Sequence, residues 1–146
     1  MDISVKHLKI HLDERGYIYE MLRCDDSAFI EYGQTYCNMT TPGTIKGFHL
    51  HYDNIDNITC VSGAIKLVLI HVSHNQPEIR EFFLSIENPI MVTVPAGVWH
   101  AWKCISKEPA LIINSSSKPF DSLNTREERT DPINNPWGYE WELKHG

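Results

Sequence analysis

Apolar residues at i, i+3, i+4 and i+7 over a dozen positions, the spacing an amphipathic helix needs, are hard to find anywhere in this chain, and that scarcity constrains its fold most. Short runs rich in β-branched and aromatic residues take its place. The strands expected are Tyr17–Arg23, Gln34–Met39, Thr44–His51, Asn57–Val61, Ala64–Val72, Glu78–Leu84, Ile90–Val94, Val98–Cys104 and Ala110–Asn114. Turn chemistry separates them at Asp13-Glu-Arg-Gly16, Thr41-Pro-Gly43, Ser62-Gly63, Glu87-Asn-Pro89 and Pro95-Ala-Gly97. Short strands at about ten-residue spacing imply a β-sandwich or small barrel. A chain of 146 residues can close such a core without disulfides or a structural metal. No repeat, low-complexity stretch or linker interrupts it, so one domain over 1–146 is expected.

The net charge of −6 leaves no basic face dense enough to follow a phosphate backbone, which argues against nucleic acid as a partner. No window approaches the apolar length of a membrane span, and Met1-Asp-Ile-Ser lacks the layout of a signal peptide, so no membrane partner and a cytoplasmic location are expected. Cys24, Cys37, Cys60 and Cys104 show no CxxC or zinc-type spacing and read as reduced packing residues. The tail from Asp121 is polar first and aromatic later; Trp137 and Trp141 read as plugs for a barrel end.

The densest chemistry lies in Lys46-Gly-Phe-His-Leu-His51, where strand alternation sends His49 and His51 to one face. Downstream, Pro95-Ala-Gly-Val-Trp-His100 reads as a tight turn entering a strand near a third His. If those faces line the barrel interior, three imidazoles meet in one cavity. The plain alternative for each is a hydrogen-bonded polar group with no part in chemistry.

An HxH strand followed by a PxGxxH turn resembles the two motifs of the cupin superfamily, and implies an all-β jelly-roll barrel with little helix. The first motif continues through Asp56, in place of the usual Glu, to Gly63 at the family spacing. The second departs at Cys104, where an Asn is common. In metal-binding cupins the ligands would be His49, His51, Asp56 and His100, a set suited to a divalent ion.

A narrower resemblance covers most of the chain. Asp13-Glu-Arg-Gly-Tyr-Ile-Tyr-Glu20 is similar to the D-x-R-G-x-F-x-E stretch of dTDP-4-dehydrorhamnose 3,5-epimerases. Gln34 with Gly43-Thr-Ile-Lys-Gly-Phe-His49 resembles that family's Q…G-V-L-R-G-L-H, and Pro95-Ala-Gly-Val-Trp-His-Ala-Trp102 its P-P-G-F-A-H-G-F. Thr130-Asp-Pro132 and the aromatics after it resemble W-N-D-P…I-x-W. The resemblance implies a cofactor-free epimerase of a nucleotide-diphosphate sugar, working at carbon 3, carbon 5 or both of a 4-keto-6-deoxyhexose for deoxysugar and polysaccharide biosynthesis. His49 would be the base and Asp131 its orienting partner, with His51 beside them. Gln34, Tyr36, Lys46 and His100 would bind substrate, and Arg15 and Glu20 would reach it across a homodimer interface. Arg23 and Lys66 are further candidates for the diphosphate.

Three departures from that family matter. Counting from His100 puts its general-acid Tyr at Ile113; its enolate-facing Lys is replaced by Asp56; its Arg is Lys46, which keeps charge but loses the bidentate fork. His51 makes the segment also similar to the R-G-F-H-A-H of dTDP-4-keto-6-deoxyglucose 3,4-ketoisomerases, in which two His shuttle protons on one face. Tyr36, expected on an adjacent strand, would then supply an acid or a hydrogen bond. The remaining alternatives are a metal-dependent isomerase or dioxygenase and a sugar-binding cupin without turnover.

Overall fold

A computed structural model describes residues 1–121, 126–143 and 145, with twelve strands and no helix among them. They are β1 (Ser4–His7), β2 (His11–Asp13), β3 (Gly16–Ile18), β4 (Gln34–Thr40), β5 (Ile45–His51) and β6 (Asp56–Ser62), then β7 (Ala64–Ser73), β8 (Gln76–Ser85), β9 (Ile90–Val94), β10 (Trp99–Cys104), β11 (Ala110–Ser116) and β12 (Glu127–Arg129). All strand pairs are antiparallel. They build one sheet in the order β1-β9-β6-β11-β4 and a second in the order β12-β5-β10-β7-β8, with β2 and β3 a separate hairpin. Neighbours in space are mostly distant in sequence, which is the jelly roll expected.

The two sheets close on a core that alternation selects. Ile65, Leu67 and Leu69 of β7 point inward against Ile58, Val92, Val94 and Ile112 of the first sheet. Val68 and Ile70 point outward and are just as buried, because Phe48, Ala101, Tyr139 and Trp141 cover them. That two-sided burial explains why β7 reads as an unbroken apolar run rather than an alternation. Trp137 and Trp141 therefore do not plug a barrel end. They pack on the outer face of the second sheet, with Phe48 ringed by Trp137, Tyr139 and Trp141 at centroid distances of 5.3, 6.4 and 5.8 Å.

Other expectations need correction. The strand expected over Tyr17–Arg23 stops at Ile18, and further on Asp26 shapes a turn: its carboxylate accepts from Arg23 N at 2.7 Å and holds Lys6 of β1 at 2.6 Å. The short strands β1, β2 and β12 carry too few residues to show a pattern. The β7–β8 turn is His74-Asn75, both at positive φ (51° and 61°), the backbone a two-residue hairpin demands, and Asn tolerates it well. Of the cysteines, Cys60 and Cys104 are buried, but Cys24 and Cys37 are exposed.

Candidate active site

A cavity of about 630 Å³ opens between the two sheets. Its second-sheet wall carries Lys46, His49 and His51 from β5 and His100 from β10. The first-sheet wall carries Gln34, Tyr36 and Asn38, alternate residues of β4, and Asp56 from β6. Glu127 and Arg129 of β12 and Lys118 line it as well, with Asp53 and Asp121 among the remaining wall residues.

The histidines converge as their spacing implies. Ring centroids are 6.5 Å apart for His49 and His51, 6.0 Å for His49 and His100, and 5.2 Å for His51 and His100. Lys46 joins them through an irregularity. Three positions from His49, it belongs on the opposite face of a regular strand, but the register slips between His100↔His49 and Ala101↔Gly47. Gly47, at φ +115°, is the bend. Phe48 turns outward into the aromatic cluster, while Lys46 and His49 both face the cavity.

Burial holds His49 uncharged: its pKa is pushed down to about 4, chiefly by loss of water and secondly by His100, against an upward pull from Glu127. His100 is lowered too, again by burial first, with Asp56 pulling the other way. Its Nδ1 lies 3.2 Å from Val98 O, which fixes the ring and turns Nε2 toward Asp56 Oδ2 at 3.7 Å. His51 stands between two carboxylates, Nε2 3.5 Å from Asp56 Oδ2 and Nδ1 4.0 Å from Glu127 Oε2. A ring so placed can pass a proton from one side to the other. Donor atoms of His51, Asp56 and His100 lie within 4.8 Å of one another. Two imidazoles and a carboxylate at that spacing fit a divalent ion, with His49 outside the set.

The structure places Asp131 in an exposed turn after β12. Its carboxylate accepts from Ile133 N at 2.8 Å, Asn134 N at 3.3 Å and Asn134 Nδ2 at 3.2 Å, closing its own exposed turn. It does not line the cavity, whereas Glu127 does, 4.0 Å from His51 and pulling the His49 pKa upward. Arg15 and Glu20 also lie outside the cavity, ion-paired with Asp13 and Arg23. Arg23 is paired on both sides, with Glu20 and Asp25. Lys66 is buried over the rings of Tyr139 and Trp141, at 5.4 and 5.3 Å. Tyr36 is not on a strand adjacent to β5 but on the facing sheet. Ile113 points away from the cavity side of β11, which presents buried Asn114 instead. Sequence reasoning missed Glu127, Asn114, Lys118 and Arg129. Only Asn114 had a signal, as the buried-face neighbour of Ile113 in an alternating strand.

A jelly roll with imidazoles on one wall and a phenol, an amide and a carboxylate on the other defines a cupin equipped for proton transfer. The chain belongs to the family described as polysaccharide biosynthesis C-terminal domain, which it matches over residues 11–127. It is 31% identical to a probable low-salt glycan biosynthesis epimerase, Agl13, of Haloferax volcanii, over 88% of this chain and 85% of that one. Its fold is shared by a dTDP sugar isomerase of Desulfovibrio desulfuricans, with a TM-score of 0.85 and 23% identity over 95% of this chain and 90% of the other. It is shared as well by ChmJ, a 3′-monoepimerase of Streptomyces bikiniensis in complex with dTDP-quinovose, with a TM-score of 0.83 and 21% identity over 95% and 74%.

Proposed function

We propose that this protein is an isomerase, a nucleotide-sugar epimerase that enolises a nucleotide-linked 4-keto-6-deoxyhexose and inverts carbon 3, carbon 5 or both. The observation that carries this reading is His49, a half-buried imidazole whose loss of water holds it uncharged on the wall of the cavity. A proton alpha to a ketone is acidic enough for a positioned neutral imidazole to remove, provided the enolate oxygen is stabilised. His51 and His100 line the same cavity, and Lys46, Lys118 and Arg129 bring cations to it for a diphosphate, Lys118 opposite Asp53 at 3.7 Å and Arg129 paired with Glu127.

The site works without a resident metal in this reading. Were a divalent ion held by His51, Asp56 and His100, it would act as a Lewis acid on the substrate carbonyl. We also take residues 1–146 as one cupin unit acting in the cytoplasm, and the functional form as a homodimer. The β2–β3 hairpin belongs to neither large sheet and exposes Leu12 and Ile18, which supports a partner copy there. Arg15 and Glu20, outside their own cavity, would then serve the partner's.

Incubation with dTDP-4-keto-6-deoxyglucose in deuterium oxide tests the reaction. Deuterium at carbon 3 or 5 with inverted product is expected, and His49→Asn should slow both by about 10²–10⁴-fold. Deuterium at carbon 3 with the ketone moved to carbon 3 would select a 3,4-ketoisomerase, which His49 and His51 on one wall also permit. Full exchange by the His49→Asn protein would rule out His49 as the base.

A further inference from the structure

Epimerisation takes a proton from one face of a carbon and returns one to the other, so an acid must face the base across the substrate. Resting on the epimerase reading, we propose that Tyr36 is that acid, a phenol displaced by one strand from β11 to β4 and held by Asn114. The register places Tyr36 directly opposite Asn114 in the β4–β11 pair. The histidines lie on the second sheet and Tyr36 on the first, so the cavity separates them.

The direction of the Tyr36 proton follows from Asn114. That side chain is 2% exposed, and its Nδ2 donates to Asp56 Oδ1 at 2.7 Å and to Tyr36 Oη at 2.8 Å. Turning the amide round would set its oxygen against the Asp56 carboxylate oxygen at the same distance, so Asp56 fixes the orientation. It does so even though Asn114 Oδ1 is left buried without a partner. Tyr36 Oη is therefore the acceptor in its bond to Asn114. Among the described residues nothing accepts its hydroxyl proton, and the residue lines the cavity. Burial raises the phenol's pKa, keeping the proton in place until it is used.

The proton count closes. His49 takes the carbon-bound proton and becomes imidazolium, while the C–H electron pair moves into the carbonyl as an enolate. On return that pair forms a new C–H bond with the Tyr36 proton, and the O–H bond breaks to leave a phenolate. The Asn114 Nδ2–H then donates to a charged oxygen, a stronger bond than to the neutral phenol. Solvent reprotonates Tyr36 and takes the proton from His49.

The test follows Tyr36→Phe and the unaltered protein side by side with dTDP-4-keto-6-deoxyglucose in deuterium oxide, reading deuterium in recovered substrate separately from inverted product. We expect the variant to keep His49-dependent exchange into recovered substrate while its inverted product falls by about 10²–10⁴-fold. Inverted product at the unaltered rate overturns the proposal. So does loss of exchange and inversion together in a variant whose melting temperature is unchanged, since Tyr36 would then act before the return step. If the unaltered protein neither exchanges nor inverts, the epimerase reading itself fails, and this inference with it.

Discussion

The role that the sequence resemblance gives to Asp131 falls to Glu127 in the structure's electrostatics, since Glu127 and not Asp131 acts on His49. A carboxylate helps an imidazole base by stabilising the cation that forms, and it must lie close to do so. Glu127 sits on the cavity wall and pulls the His49 pKa upward, whereas Asp131 spends its oxygens on its own turn. Glu127→Gln should therefore lower the His49 pKa further below 4, moving the acid limb of the kcat/KM profile to lower pH. The pH-independent rate should fall about 10-fold or more, because a weaker base accepts the carbon-bound proton less readily. Asp131→Asn should leave both the limb and the rate in place and show only a lower melting temperature. Steady-state rates from pH 4 to 8 on the two variants distinguish them, and a larger loss in Asp131→Asn would restore the dyad. His49 was legible because an HxH strand announces itself. Glu127 was not, because β12 is three residues long and reaches the site only through its pairing with β5.

Strand β5 is where regular structure gives way to the needs of the site. Its slip at Gly47 sets Lys46 and His49 on one side, and it depends on a residue without a side chain. A Cβ at Gly47 would stand 2.6 Å from both Ala101 Cβ and His100 O, in addition to the strained φ. Gly47→Ala should cost about 3 kcal/mol or more by urea unfolding, and should move His100 through the same contact. A loss under about 0.5 kcal/mol would mean that β5 relaxes without the slip. The strands most legible in the sequence were those with a long burial pattern. The expected Ile90–Val94 matches β9, and Gln34–Met39 falls one residue short of β4. The slip was invisible, because a bulge adds a residue to the pattern without changing its composition. The aromatic tail was legible as a packing element but not as to place. Nothing in Trp137 or Trp141 themselves says which face of which sheet they cover, and that is decided by the outward turn of Phe48.

Over the whole molecule, the same burial that prepares the site ties its stability to pH. His49 and His100 both have folded-state pKa values below the ordinary 6.5, each chiefly from burial. Between 6.5 and the folded value the unfolded chain binds protons that the native one refuses, so the stability of unfolding rises with pH across that window. It is complete above about pH 6.5 and is lost as the pH falls toward 4, the folded value of His49. Carboxylates held below their ordinary values, Glu127 by Arg129 and the two histidines and Asp26 by Lys6 and Arg23, act lower down, losing their contribution as pH falls below about 4.5. The urea midpoint should therefore hold steady above pH 7 and decline from pH 6.5 to 4.5, ahead of any carboxylate effect. His49→Asn removes one of the two desolvated imidazoles and should flatten that decline, and it should also weaken the part below pH 4.5 that His49 lends to Glu127. A midpoint that stays constant from pH 7 to 4.5 in the unaltered protein would mean that the native imidazoles titrate as they do in the unfolded chain, and burial would then not be what holds His49 uncharged below pH 6.5.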